Sequence, residues 1–278
     1  MRHAILMTAY RDAALINYLI EQYPDDFQIY IHIDQKSEMA VSDIVKKNNV
    51  CIYKEFVVNW GGLNHVKAML FLLRKALEND CDYYHWVTGQ CLPISPTTFD
   101  ERLNEGYSYL EYFPLSTDLE GNESILSFRK RYQLYLPYDM LDAKKSYQRY
   151  LLSKIRVIQE KLGFVRRHRN FKVLFGGSGY FSLYKTEAQI LSRDAANYLS
   201  FYRHTFCAEE SIIQTILINY GCENHIINDN RRYIDWNVPV GPKVLTIEDE
   251  EAIVRSNALF CRKVDFIQSR KLIKELTK

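Results

Sequence analysis

Apolar and polar positions follow two periods along the first hundred residues, and the chain switches between them repeatedly. Ala4-Ile5-Leu6-Met7, leading into Thr8, reads as a short buried strand. Ala13-Ala14-Leu15-Ile16-Asn17-Tyr18-Leu19-Ile20 then reads as a helix that stops near Tyr23-Pro24-Asp25-Asp26. The pattern predicts a second strand over 28–34, ending in the carboxylate of Asp34, a helix over 41–47 and a third strand over 50–53. After the loop Trp60-Gly61-Gly62 it predicts a helix over 63–77 and a fourth strand over 83–87 that meets Thr88-Gly89-Gln90. This alternation predicts an α/β fold whose mostly parallel sheet is flanked by helices. Ligands of such sheets lie at the carboxyl ends of the strands. Tyr10-Arg11, Asp34 and Thr88-Gly89-Gln90 are therefore the first candidates. No GxGxxG or GxxxxGK[ST] follows a strand, so a nucleotide held through its base and ribose remains open while dinucleotide and P-loop readings lose their support.

Beyond residue 100 the pattern changes. Strands are predicted over 107–113, 172–174 and 180–184, the last two around Gly176-Gly177-Ser178-Gly179. Glu209-Glu210 opens the apolar helix Ser211-Ile212-Ile213-Gln214-Thr215-Ile216-Leu217, where carboxylates ordinarily serve the helix dipole. Phe128-Arg129-Lys130-Arg131-Tyr132 alternates charge with aromatics. Residues 141–172 hold ten Lys+Arg against Asp142 and Glu160, a local net charge of +8, with Leu151, Ile155, Ile158 and Leu162 on one helix face. Two readings fit this segment: a solvated helix with its apolar stripe packed on the core, or a basic amphipathic helix lying on an anionic membrane surface. No repeat or low-complexity linker divides the chain. It is expected to be one domain over 1–278, with a nucleotide-binding half over 1–100 and an acceptor and catalytic half over 101–278.

Composition narrows the classes. With 278 residues, 47% hydrophobic, and 36 Lys+Arg against 34 Asp+Glu, the chain is globular rather than disordered. Its net charge of +2 lacks the basic excess of a dedicated nucleic-acid binder. The 21 tyrosines suit stacking on sugars or bases as well as packing with a polar handle. Cys51, Cys81, Cys91, Cys207, Cys222 and Cys261 show no metal-ligand spacing and read as reduced thiols. Met1-Arg2-His3 leads directly into the first strand, so neither signal peptide nor membrane span is expected there. The expected location is cytoplasmic.

Eleven fragments in order resemble the core-2/I-branching N-acetylglucosaminyltransferases, with the related peptide O-xylosyltransferases and bacterial homologues. His3-Ala4-Ile5-Leu6-Met7, Tyr23-Pro24-Asp25-Asp26-Phe27 and Ile31-His32-Ile33-Asp34-Gln35-Lys36-Ser37 are similar to the opening strand, helix and "HVDxKS" segment. Val58-Asn59-Trp60-Gly61-Gly62 resembles the "WGG" loop and Thr88-Gly89-Gln90-Cys91-Leu92-Pro93 the "SGQDxP" turn, with Cys91 in place of its Asp. Leu110-Glu111, Arg129-Lys130-Arg131-Tyr132, Gly177-Ser178-Gly179-Tyr180 and Cys207-Ala208-Glu209-Glu210 continue the series, Thr215 standing as in "PDExxxxT". Tyr233-Ile234-Asp235-Trp236 and Leu259-Phe260-Cys261-Arg262-Lys263 resemble "DW" and "FARKF".

The resemblance implies a GT-A-type, Rossmann-like glycosyltransferase that uses a UDP-sugar, inverts the anomeric centre and needs no metal or other cofactor. Asp80-Cys81-Asp82 precedes a strand, whereas a metal-diphosphate D-x-D should follow one, and reads as a solvated turn. Glu210 corresponds to the family's base and Lys263 to its diphosphate lysine. The position of the family's second diphosphate cation falls on Val240, which makes Arg262, Lys243 and Arg232 the substitutes. Asp34 and Arg11 are expected beside the uridine, and Ser178 and Gly179 beside the donor sugar or diphosphate. Glu111 and Trp236 are expected to hold the acceptor, a glycan or lipid-linked oligosaccharide. N-acetylglucosamine transfer in surface polysaccharide synthesis is the leading expectation, with peripheral attachment to the inner membrane face and no nucleic-acid partner. A metal-dependent transferase and a non-catalytic sugar- or nucleotide-binding module are the alternatives.

Overall fold

A strand covered by helices on both faces must be apolar throughout, and β1 (His3–Ala9) is buried along its whole length. In the computed structural model, which describes residues 1–115, 128, 130–166 and 173–277, it is an interior strand of a seven-stranded sheet, next to the central one. The strands in chain order are β2 (Gln28–Ile33), β3 (Val50–Tyr53), β4 (Tyr83–Thr88), β5 (Leu92–Pro93), β6 (Ser108–Leu110), β7 (Phe113–Pro114), β8 (Phe175–Gly176), β9 (Phe181–Tyr184), β10 (Ile226–Ile227), β11 (Arg232–Ile234) and β12 (Phe260–Arg262). The large sheet runs β10-β6-β9-β4-β1-β2-β3. Only β9 opposes its neighbours, β4 and β6. This is the expected mostly parallel α/β arrangement flanked by helices. β11, β12 and β5 form a small second sheet, and β7 pairs with β8.

Alternation along β1 feeds two cores. Ile5, Met7 and Ala9 pack with the helix Ala13–Gln22 and the C-terminal helix Arg270–Leu276. Ala4 and Leu6 face the opposite layer, built from the helices Asn64–Leu77, Lys185–Asp194 and Ile212–Asn219.

Four local expectations are corrected. The helix expected over 41–47 shrinks to a 3₁₀ turn, Val41–Asp43. There the Asp43 carboxylate accepts the Ala40 N–H at 2.8 Å, and Asn17 Oδ1 takes the Val45 N–H at 2.9 Å, which draws the backbone away from a helical path. The strand expected over 107–113 splits into β6 and β7, because the Asn228 side chain takes both backbone groups of Tyr112 at 2.9 Å each. Glu111 sits in that break. The strand expected over 172–174 is instead Phe175–Gly176; Lys172 lies outside the described residues. The helix over 211–217 is preceded by a separate 3₁₀ turn, Ala208–Glu210, and begins at Ile212.

The basic helix Ser146–Lys161 leaves much of its apolar stripe exposed. Leu152 is its only buried residue, Leu151 and Ile155 are half-buried, and Ile158 and Leu162 are 56% and 78% exposed. The C-terminal half of the stripe, Ile158 and Leu162, is therefore not packed on the core among the described residues. Arg167 and Arg169 of the segment lie outside the described residues.

Candidate active site

Because β9 runs against its neighbours, it delivers its beginning to the rim where β1, β2, β4 and β6 deliver their ends. The register pairs Leu110 with Phe181, which sets Glu111 opposite Tyr180. Tyr10-Arg11, Asp34, Thr88-Gly89-Gln90, Glu111 and Gly177-Ser178-Gly179 thus share one rim, as ligand-binding residues of such sheets do. The Ala208–Glu210 turn closes over it. The Gly177 N–H donates to the Glu210 carbonyl at 2.9 Å, and Gln214 Nε2 donates to the Ser178 carbonyl at 2.7 Å.

Two glycines make this closeness feasible. Gly61 has φ 78°, its carbonyl accepts from the Cys207 N–H at 2.9 Å, and a Cβ there would stand 2.4 Å from the Phe206 ring. The Trp60-Gly61-Gly62 loop therefore clamps the acidic turn. At Gly177 a Cβ would come 2.0 Å from the Glu111 carbonyl oxygen, backbone that has no flexible side chain to yield. Gly177→Ala is expected to destabilise the fold by about 1–3 kcal/mol. Urea unfolding checks this, with Ser178→Ala, which adds no atom, as the near-neutral control.

Three carboxylates meet here. Glu210 Oε2 accepts from Arg131 Nη1 at 2.5 Å, with side chains about a third exposed. Burial first, then Glu209 and to a lesser degree Glu111, push the Glu210 carboxyl up to about 7, against the pull of Arg131. A helix N-terminus would favour the ionised carboxylate, but Glu210 sits in a separate turn before the helix and the cost of desolvation outweighs the dipole. Glu209 Oε1 lies 3.2 Å from His65 Nδ1, whose Nε2 lies 3.0 Å from Thr8 Oγ1, and Glu209 Oε2 is buried without a partner among the described residues. Glu111 accepts from Asn230 at 2.9 Å, and burial raises its pKa too.

The cations divide by depth. Lys263 is half-buried, forms no ion pair among the described residues, and follows β12 in a loop whose Val264 N–H donates to the Gln90 carbonyl at 3.1 Å. Both Arg11 and Lys263 lower the pKa of Asp265, so the end of β1 and this loop converge. Arg262 stacks on the Tyr180 ring and donates to its hydroxyl, while its Nε is buried without a partner. Lys243 binds Asp249 at 2.6 Å and lies 4.0 Å from Asp235, so its charge is met within the protein. Arg232 is corrected outright. Its guanidinium is buried against Phe260 and donates to Ser182 Oγ and the carbonyls of Asn230, Trp86 and Phe181, which makes it a structural core arginine rather than a diphosphate ligand. Val240 stands in open solvent.

Asp34 is nearly buried and its Oδ1 accepts the Lys36 and Val58 N–H groups at 3.2 and 3.0 Å, which fixes the loop that leads to Trp60. A hollow of about 340 Å³ lies beside it, lined by Tyr10, Arg11, Asp12, Ser37, Glu38 and Met39. Ser178 Oγ accepts the Tyr180 N–H at 3.3 Å, and Gly179 packs against Glu209, where a Cβ would lie 3.1 Å from Cγ. Trp236 is 62% exposed just beyond β11. Cys91 is wholly buried and its Sγ lies within 3.4 Å of the Thr88 N–H and 3.3 Å of Thr88 Oγ1, so it serves the turn between β4 and β5. Asp80 and Asp82 sit before β4, away from the rim, where Arg2 bonds both. Among the described residues no three His, Cys, Asp or Glu side chains converge as a metal site needs.

The sequence pattern alone assigns no role to Arg131 or His65. Arg131 lay in the quoted Arg129-Lys130-Arg131-Tyr132 fragment, of which Arg129 is outside the described residues. His65 is separated from Glu209 by 144 positions. Its only local signal was its place in the first turn of the helix after the Trp60-Gly61-Gly62 loop.

Residues 4–254 match the Core-2/I-branching enzyme family. No curated protein matches the chain. Among solved structures it is similar to S. aureus TarS 1-349 in complex with UDP-GlcNAc, at 13% identity and a TM-score of 0.29, covering 40% of this chain and 34% of that one. It is also similar to the galactosyltransferase LgtC in complex with donor and acceptor sugar analogues, at 8% identity and a TM-score of 0.45, covering 100% and 95%. Likenesses so distant say nothing about substrate. The family match extends from β1 to the helix Glu250–Arg255 and takes in the rim with its three carboxylates: the chain belongs to the Core-2/I-branching enzyme family and is a glycosyltransferase.

Proposed function

We propose that this glycosyltransferase moves a sugar, N-acetylglucosamine in the leading case, from a UDP-sugar to a hydroxyl of a glycan acceptor with inversion and without a divalent cation. The observation that carries the reading is Glu210. Its carboxyl is pushed up to about 7 and Arg131 holds Oε2, leaving Oε1 for a hydroxyl. A base works best with a pKa near the operating pH.

In one displacement the acceptor hydroxyl gives its proton to Glu210 as its oxygen forms the new bond to the anomeric carbon. The bond from that carbon to the diphosphate breaks, and its electron pair leaves with UDP. The departing charge needs cations aimed at it. Lys263 is free to supply one, and Arg262, adjacent in sequence, is the remaining substitute for the second. Tyr10 and Arg11 border the hollow suited to uridine. Glu111, with its raised pKa, and the open face of Trp236 suit a sugar acceptor, one by hydrogen bonds and the other by stacking. A lipid-linked oligosaccharide in surface polysaccharide synthesis, met at the inner membrane face, fits the same reading.

A panel of UDP-sugars scored by UDP release tests this. Full turnover with UDP-N-acetylglucosamine in excess EDTA is expected. Loss in EDTA restored by Mn²⁺ would favour the metal-dependent alternative, and sugar or UDP binding without any release would favour the non-catalytic module.

A further inference from the structure

We propose that the helix Ser146–Lys161 and the turn that follows it form a docking surface for an anionic lipid bilayer, beginning beside the rim. On this helix Tyr147, Ile158 and Leu162 fall along one face, with Leu151 between them and Tyr150 and Val157 at its border. Tyr147, Ile158 and Leu162 are mostly exposed, and past the helix end Phe164 and Val165 are exposed as well. No described residue covers this face. An uncovered row of large apolar side chains is expensive in water, which marks it as a surface with a partner.

Charge selects the partner. Lys154 and Lys161 lie within the apolar face, where long stems can follow the apolar surface while their ammonium groups reach headgroups. Lys144 and Lys145 stand at the helix start. The two acids of the segment are already engaged, Asp142 by Lys36 at 2.7 Å and Glu160 by Arg156 at 3.2 Å. Two such faces from two copies would set lysine against lysine, which opposes a symmetric dimer. An anionic bilayer answers both the apolar row and the cations.

Position gives the surface a purpose. Lys144 Nζ lies 4.3 Å from the centre of the Tyr10 ring, and Asn59 Nδ2 donates to the carbonyls of Tyr138 and Asp139 at 3.1 and 3.2 Å. The segment therefore starts beside the rim. A lipid-linked acceptor would reach Glu210 from the side on which the chain is moored. Only this last point rests on the transferase reading.

Vesicle flotation of the full chain decides the matter. The chain is expected to float with phosphatidylcholine vesicles containing about one-third phosphatidylglycerol at low salt, and to be released as ionic strength rises. The double variant Ile158→Asp/Leu162→Asp should lose binding about tenfold or more with its melting temperature unchanged. Val254→Asp, at an exposed apolar site elsewhere, should bind as the parent does. Absence of flotation at low salt, equal loss in Val254→Asp, or a concentration-dependent dimer in sedimentation that the double variant abolishes would each overturn the proposal. UDP release to a soluble acceptor separates the two readings. Vesicle binding without release defeats the transferase, and release without vesicle binding defeats the docking surface.

Discussion

Glu210→Gln lowers kcat by about 10²–10⁴-fold, the usual contribution of a positioned base, while UDP affinity and folding survive. The amide keeps the size of the side chain and can still accept from Arg131 through its carbonyl oxygen, but it cannot take the acceptor proton. Because the carboxyl is pushed up to about 7 in the folded chain, kcat/KM of the parent should rise with pH and level off above about 7. The variant should lose that limb. Stability supplies a second readout with a definite sign. A carboxyl whose folded pKa is raised above its ordinary 4.5 favours the fold most when protonated, below that value, and this contribution is lost as pH rises to about 7. The Gln variant should lack this slope and gain on the parent in the neutral range. Transfer at the parental rate in Glu210→Gln would show that Glu210 only closes the turn.

Much of this site was legible because the strands are short, apolar and separated by turn residues, so their ends can be placed without coordinates. Tyr10-Arg11, Asp34 and Thr88-Gly89-Gln90 are rim residues on that basis alone, and β1, β2, β3 and β4 differ from their expected bounds by one residue at most at either end. Long-range pairing was not legible. Nothing local distinguishes Arg232, whose guanidinium closes a gap among β4, β9 and β12, from an arginine waiting for phosphate. The same holds for Arg131, since only folding brings it to a carboxylate 79 positions away. The direction of the Glu210 shift depends on how much protein surrounds it, and a helix-dipole argument sees only the adjacent turn. Amphipathicity has a related limit. The period of Leu151, Ile155, Ile158 and Leu162 fixes a common face, but whether the core or solvent covers that face is a fact of tertiary structure.

Arg232 and Lys263 together separate a structural cation from a catalytic one. Lys263→Ala should lower kcat by about 10²–10³-fold, the loss found when a group that meets developing transition-state charge is removed, with little change in melting temperature, because its side chain makes no ion pair among the described residues. Lys263→Arg, which keeps the charge, should recover part of the rate. Arg232→Met should do the reverse. It strands the buried carbonyls of Trp86 and Phe181 that the guanidinium now satisfies, and it costs the fold several degrees of melting temperature before any specific effect on transfer. Calorimetry and UDP-release kinetics on both variants read the two axes independently. If Arg232→Met folded as the parent does and lost kcat alone, the arginine would belong to the diphosphate site and the buried network around it would have another purpose. If Lys263→Ala kept its rate, the charge of the leaving diphosphate would have to be met from Arg262 alone or by a divalent cation, and the EDTA experiment would then choose between them. The chain carries only two more cationic than acidic side chains. Its chemistry therefore depends on which few of them fold to the rim without a carboxylate already attached.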